Sequence, residues 1–436
     1  MIYSDTDENG NKTKNKKREK KVQTTRRAKR MKKADLTRSL KIRMYPNSSQ
    51  KTLLRQWMGC ARLVYNMVVD NYRLGHRTTR QFFFRMLLRL KIKHTKEWIF
   101  MDKVPYEVLD HAISDAIQAR DEVIKRNKEN QHQHHVLHFR SKKNDRQSIT
   151  IRAQYCREPL RFYIRLLHNK ELLAIDSNHP RHKMKPPFHH EHRRRNHGWP
   201  NEIGKVKMDS KLIYERKLGY WTFIWVHRKS ICENQAEEIH VAAIDPGVRT
   251  FLTWYSPTVG YGNIGDNDIN RVFRLCIALD AFISRTTRAL AKKRNSIKRA
   301  QARMRRRIRN LVDEVHKKTA LWLTKTFDII VLPKFNSTQM SHRQKRKINS
   351  KTVRKMMSWA HARFRNRLLS KAEEFGKIII TSVSEAYTSK TCSHCGYIKR
   401  NLGGNKVFRC DGCGLRINRD LNGTRGIFLW ALLDEP

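Results

Sequence analysis

Two cysteine pairs, Cys392-x-x-Cys395 and Cys410-x-x-Cys413, stand fourteen residues apart near the end of the chain. Each pair is short enough to form one tight turn that aims two thiolates at a common point. Gly396 and Gly414 follow, where such a turn has to reverse. Four thiolates at ~2.3 Å complete a closed tetrahedral zinc site, which folds a short segment and does no chemistry of its own. A redox dithiol and a pair of disulfides are the competing readings. The other cysteines, Cys60, Cys156, Cys232 and Cys276, are scattered. In a long chain whose first residues lack an apolar leader, this pattern favours metal and a reducing compartment.

Charge narrows the partners. The 436 residues include 93 Lys and Arg against 39 Asp and Glu, a formal net charge of +54. A fold this basic repels itself unless a polyanion is bound, and nucleic acid leads that class, ahead of an anionic membrane surface. No apolar run approaches the ~18 residues that span a bilayer, so no membrane partner is expected. Residues 12–33 carry thirteen basic residues and one acid, with no apolar period, and read as a disordered basic arm. Its two basic clusters suit phosphate attraction or nuclear import.

Periodicity then divides the chain. "LKIRMYPNSS" alternates like a strand and stops at Pro46. Leu53, Leu54, Trp57, Met58, Ala61, Tyr65 and Val68 recur at helical spacing, and "FFFRMLLRLKI" and "VPYEVLDHAISDAIQARDEVIKR" suggest two more helices. From 148 the period becomes two, in "SITIRAQY", "RFYIRLL", "GKVKMD" and "YWTFIWVHR". A histidine-rich stretch, 179–200, reads as a basic loop because its spacing matches no defined metal site. After 237 strands alternate with helices. One seam is Val272, Leu275, Leu279 and Phe282, and another is Met357, Ala360, Phe364 and Leu368, with Gly376 as C-cap. Twelve basic residues and no acid fall between 285 and 309.

Three carboxylates stand out against this basic background. Asp245 ends the apolar strand "IHVAAIDPG", Glu385 ends "IIITSVSE" seven residues before Cys392, and Asp420 opens the last helix. Each has an ordinary explanation: a turn-forming Asp-Pro-Gly, a solvent-facing strand end, a helix N-cap. Together they fit a site where carboxylates at strand ends and a helix start hold two Mg²⁺ ions ~4 Å apart for phosphodiester hydrolysis.

These residues resemble the transposon-encoded TnpB nucleases, and most closely their eukaryotic and viral relatives, the Fanzor proteins. The resemblance rests on "KIRMYPNSSQ", "CARLVYN", "VPYEVLDHAI", "IDPGVRTFLT", "YTSKTCSHCG", "FRCDGCGL" and "NRDLNGTRGI", in family order from residue 40 onward. It implies a multidomain α+β protein: a basic arm (1–37), a β-barrel wedge domain (38–48 and 141–236), an inserted helical recognition domain (49–140), and a RuvC-like nuclease domain of RNase H fold (237–387 and 415–436) with a zinc-ribbon insertion (388–414). It implies an RNA-guided DNA endonuclease using two Mg²⁺ and one structural Zn²⁺ on Cys392, Cys395, Cys410 and Cys413. The expected partners are a transposon-encoded guide (omega) RNA and double-stranded target DNA, with a monomeric protein acting in a eukaryotic nucleus. Asp245 matches the first RuvC acid and Asp420 the third. The second should lie in "FDIIVLPKFNS", where Pro333 stands instead, and the resemblance transfers that role to Glu385 as Mg²⁺ ligand. The basic run, Lys292, Lys293, Arg294, Lys298, Arg299, Arg303, Arg305, Arg306 and Arg307, is expected to hold nucleic acid through its phosphates. The alternatives are a catalytically inactive transposon-derived protein that binds RNA or DNA, and a RuvC-type nuclease reading branched DNA without RNA.

Overall fold

The computed structural model describes residues 35–44, 46, 48–76, 79–92, 99–101, 104–129, 134–153, 161–162, 172–173, 208–232, 238–335, 337–342, 348–383, 387–403 and 405–433. The basic arm at 12–33, the histidine-rich stretch and Glu385 lie outside these residues, as do most of "RFYIRLL" and "GKVKMD". The chain forms two compact units, one spanning Thr37–Arg228 and the other containing Lys229–Pro436.

The first unit is helix on sheet. Strand β1 (Asp35–Met44) leads into α1 (Ser48–Arg73), α2 (Arg80–Ile92) and α3 (Tyr106–Glu129). Strand β2 (Arg146–Ile151) follows, then the short β3 (Arg161–Phe162) and β4 (Leu172–Leu173), then β5 (Ser210–Glu215) and β6 (Tyr220–Ser230). The four long strands make one sheet in the order β1-β6-β5-β2, so the three helices enter the chain between two members of one sheet. Trp57, Val64, Leu109, Ile113 and Phe223 share its core with no exposure. Buried Asp110 accepts hydrogen bonds from Arg80 at 2.6 Å and Arg152 at 3.1 Å, a desolvated carboxylate with two guanidinium partners. Strand β5 carries no strong alternation in the sequence. It is defined by its neighbours, with Leu212 opposite Phe223 and Ile149 opposite Leu212.

The second unit is built on a mixed sheet, β11-β10-β7-β8-β9. Strand β7 (Val241–Pro246) pairs antiparallel with β8 (Leu252–Ser256), which pairs antiparallel with β9 (Gly260–Ile264), while β10 (Ile329–Val331) pairs parallel with β7 on its other side and β11 (Ile378–Ile380) pairs parallel with β10. Asp328 fastens the parallel strands at their start: it accepts from Lys377 Nζ at 2.6 Å and from the His240 N–H at 2.9 Å. Helices α4 (Asp268–Arg288), α5 (Ala291–Thr326), the short α6 (Ser337–Ser341), α7 (Ser350–Trp359) and α8 (His361–Phe375) lie between strands in sequence. Ala242, Ile244, Phe251, Leu323, Phe327, Ile330, Trp359 and Leu368 form the main core. The segment with the two cysteine pairs carries its own hairpin, β12 (Val407–Arg409) against β13 (Arg416–Asn418), and α9 (Arg419–Leu433) follows.

One expected seam is corrected. Met357 is exposed, and Met356 and Trp359 are the buried pair. Ala360 adopts a left-handed φ of 52°, which ends α7 and restarts the chain as α8. That break resets the helical phase, so Phe364 and Leu368 face the core on a register that does not extend back to Met357. Gly376 caps α8 at φ 62°, its N–H bonded to the Ala372 carbonyl.

Candidate active site

Asp245 lies within β7, paired with Thr253, and Pro246 pairs with Leu252. The chain reverses only over 247–251. The carboxylate therefore belongs to a strand of the central sheet, not to the turn that Asp-Pro-Gly suggests. Gly247 serves close packing: a Cβ there would sit 2.6 Å from the Thr250 carbonyl oxygen. The loop is clamped from α7 and α8. Trp359 Nε1 donates to the Val248 carbonyl at 3.0 Å, and His361 Nε2 bonds the Gly247 carbonyl at 3.0 Å. A carbonyl only accepts, so Nε2 carries the proton and Nδ1 is bare. Nδ1 is buried with no hydrogen-bond partner among the described residues. Burial accordingly pushes the His361 pKa down to about 4, against the smaller opposing effect of the Gly247 hydrogen bond. His316, bonded to the Trp359 carbonyl at 2.8 Å, is held at about 4 by the same burial. Both rings stack on Phe251, centroids 5.1 and 5.2 Å away, behind the loop that follows Asp245.

Asp420 sits in the first turn of α9. It is not the cap. The Asn418 side chain accepts from the Asp420 N–H at 2.9 Å and from the Leu421 N–H at 3.3 Å. A neighbouring side chain thus does the capping, and an exposed carboxylate remains at the positive end of the helix. Asp245 and Asp420 line one cavity of about 660 Å³, together with Asp266, Arg249, Lys355, Lys406 and Arg419. Asp266, held by the Thr250 hydroxyl at 3.3 Å, was not apparent from the sequence because it lies in a polar turn after the short strand β9.

Two glycines bring the walls together. A Cβ on Gly423 would lie 3.5 Å from Asp245 Oδ2, and one on Gly426 would lie 3.2 Å from the Thr388 carbonyl. Glycine inside a helix costs about 1 kcal/mol relative to alanine. Here it lets Thr388 and Ser389 lie against the helix that carries Asp420. Asn422, fully buried, completes this contact: its Oδ1 accepts from the Ser393 N–H at 3.0 Å and its Nδ2 donates to the Thr391 carbonyl at 2.8 Å. The first cysteine knuckle is thereby fixed to α9. On the other side of Glu385, Val383 is buried with Ala243, Val331 and Ile427. The parallel register places Val331 opposite Ala243. The ladder ends there; Pro333, two residues beyond it, is buried and offers no carboxylate.

The four cysteines converge. Among the described residues they are the only group of three or more His, Cys, Asp or Glu whose ligand atoms all lie within 4.8 Å of one another. Sγ separations of 3.7 Å (Cys392–Cys413) and 3.5 Å (Cys395–Cys410) are close to the ~3.8 Å edge of a tetrahedron with ~2.3 Å metal–sulfur bonds. They are far from the ~2.05 Å of a disulfide. Gly396 and Gly414 take φ of 76° and 73° where each knuckle reverses. The Gly412 and Cys413 N–H groups point at Cys410 Sγ, 3.4 and 3.5 Å away. The Cys413 N–H foremost, then that of Gly412, pulls the Cys410 pKa down to about 7. Donor set and spacing fit a closed zinc site, with Phe408 buried between the knuckles.

The basic run lies in the first half of α5. Lys292, Lys293, Arg294, Lys298, Arg299, Arg303, Arg305 and Arg307 are exposed and Arg306 is half-buried. Between 291 and 300 no residue is buried, while Val312, His316, Thr319, Ala320 and Leu323 are. Gln301 anchors this half to α4 through the Phe282 carbonyl at 3.0 Å and the Thr286 hydroxyl at 2.6 Å.

Comparison with known proteins places this arrangement. Residues 361–427 match the family described as "Cas12f1-like, TNB domain", and residues 31–74 match a helix-turn-helix domain family. In the structure the described part of that second match is a strand followed by one long helix. A TnpB-like protein of Acanthamoeba polyphaga mimivirus is 24% identical over 410 residues, 89% of this chain and 72% of the relative. A putative transposase of Paramecium bursaria Chlorella virus 1 is 26% identical over 418 residues, 91% of this chain and 88% of the relative. Over most of its length the chain is similar to TnpB-like proteins of giant viruses. Among solved structures, this TnpB-like chain is similar to Cas12f1 in a complex with sgRNA and target DNA, at TM-score 0.50 and 15% identity, covering 90% of this chain and 98% of that one. The mini-RNA-guided endonuclease CRISPR-Cas phi3 gives TM-score 0.50 and 12% identity over 92% and 93%. At those identities the likeness is one of fold: a multidomain α+β architecture shared with these nucleases.

Proposed function

We propose that this protein is an RNA-guided DNA endonuclease of RuvC type, cutting phosphodiesters with Mg²⁺ held by Asp245, Asp420 and Glu385. The observation that carries this is the convergence of Asp245, from the central strand β7, and Asp420, from the first turn of α9, on one cavity rimmed by Arg249, Lys355, Lys406 and Arg419. Hard carboxylate oxygens suit Mg²⁺, and the space kept free beside Asp245 Oδ2 by Gly423 suits a ligand of that charge. Bound there, Mg²⁺ supplies charge stabilisation at the phosphate and an activated water. The chain's own part is to aim the carboxylates, to brace the Asp245 loop through His361 and Trp359, and to present cations to the phosphates. Glu385 falls between Val383, packed beside Ala243, and Thr388, packed on Gly426. Both anchors adjoin the cavity's elements, which supports Glu385 as the third carboxylate in place of the acid missing at Pro333.

The guide RNA and the paired target strand belong against the basic half of α5, and the cysteine knuckles hold one structural Zn²⁺. A nuclear address in residues 1–40 follows from the basic arm, and a reporter fused to that segment tests it by accumulating in the nucleus. Pro333 favours one rival, a protein that binds nucleic acid without cutting. Mg²⁺-dependent cleavage by the wild type, lost in Asp245→Ala, Asp420→Ala and Glu385→Ala, establishes the nuclease. No cleavage by the wild type leaves the binding protein. Full activity of Glu385→Ala alone removes Glu385 from the site.

A further inference from the structure

Tyr387 combines an unfavourable backbone with an exposed ring. Its φ is 63°, left-handed for a bulky residue, and its side chain is 65% exposed. Such a conformation costs on the order of 1–3 kcal/mol and persists where the surroundings over-determine it. Here they do. The Tyr387 carbonyl accepts from the Lys390 N–H at 2.8 Å, the Thr391 N–H at 2.9 Å and the Thr391 hydroxyl at 3.0 Å. Thr388 is buried against Gly426 of α9, and Ser389 lines the cavity of Asp245 and Asp420. Glycine or asparagine would make the same turn with less strain, and the exposed ring recovers little by burial. The turn therefore presents an aromatic face, rigidly, two residues from the wall of the carboxylate cavity. Lys390 Nζ lies 6.0 Å from the ring centroid, a cation beside that face.

We propose that the Tyr387 ring is a stacking platform for a base of the nucleic-acid strand presented to the carboxylates. This rests on the nuclease reading of the cavity. A base is the occupant because the neighbouring walls carry Arg249, Lys355, Lys406 and Arg419, which complement a phosphate backbone and leave the bases to be received elsewhere. An aromatic face accepts any base, so the contact adds affinity without sequence preference.

The test uses the full-length protein, single-stranded DNA containing 2-aminopurine, Ca²⁺ in place of Mg²⁺, and ~0.3 M salt to suppress non-specific phosphate binding. Stacking quenches the fluorophore. Tyr387→Gly relieves the backbone strain, so its thermal stability is expected to equal or exceed that of the wild type. Its affinity should fall about 5- to 150-fold and the quench should vanish. Tyr387→Phe and Tyr387→Trp should keep both. Wild-type affinity and quench in Tyr387→Gly would overturn the proposal, as would a loss in Tyr387→Phe equal to that in Tyr387→Gly, which would assign the effect to the hydroxyl. A wild type that quenches in this assay but never cuts DNA in Mg²⁺ would leave the platform standing and remove the nuclease reading, so the two failures are told apart.

Discussion

Asn422→Leu tests whether the cysteine knuckles are structurally joined to the helix that carries Asp420. The substitution keeps the volume and removes both polar atoms. It leaves the Ser393 N–H and the Thr391 carbonyl facing a buried apolar side chain, after losing bonds of 3.0 and 2.8 Å. Each stranded group costs about 1–3 kcal/mol, and the leucine returns about 1–2 kcal/mol by burial. At mid-range values the net loss is roughly 2–3 kcal/mol, which in a unit of about 200 residues lowers Tm by about 4–12 °C. The first knuckle loses its anchor at the same time, so zinc should leave faster. The assay pairs a thermal melt with zinc release to a chromogenic chelator, both compared with Asn422→Asp, which keeps the acceptor for Ser393. A melt within ~1 °C of the wild type, with unchanged zinc release, would refute the argument that Asn422 couples ribbon and helix.

Three further outcomes are expected. Gly423→Val puts branched carbon against Asp245 Oδ2, where even a Cβ stands at 3.5 Å, so DNA cleavage should fall at least tenfold while circular dichroism is unchanged. His316 and His361 both have folded pKa values near 4, below the unfolded ~6.5, so the unfolded chain binds more protons between those values. Stability is complete above pH 6.5 and is lost as pH falls towards 4, by about 3 kcal/mol per histidine, and His361→Gln should flatten that acid limb in denaturant titrations. Replacing exposed Lys298, Arg299 and Arg303 together by alanine should leave Tm unchanged and reduce the slope of log affinity against log salt for nucleic acid by about 2–3.

The convergence of the four cysteines was legible because its chemistry is local. Four thiolates in two short turns have few other uses, and the glycines that reverse them sit in plain view at 396 and 414. The three helices before residue 130 were legible because each has one buried face repeating at helical spacing. The break at Ala360 was not, since alanine is a strong helix former and only the tertiary clamp of Trp359 and His361 on the Gly247 loop stops it there. Asp245 was visible as an acid ending an apolar strand, yet its turn-like sequence concealed that it pairs within the sheet. Asp420 looked like a cap until Asn418, two residues earlier, proved to hold that role. Asn422, Asp266 and Tyr387 act through partners distant in sequence or through backbone conformation, and neither leaves a periodic trace.

The most direct measurement is to purify the protein through a high-salt wash, sequence the RNA that stays bound, and offer DNA matching that RNA's variable end. The account predicts one structured RNA species, and Mg²⁺-dependent cutting of the matching DNA that Glu385→Ala and Asp245→Ala abolish. A mixture of cellular RNAs with no cleavage of any matched DNA would contradict it.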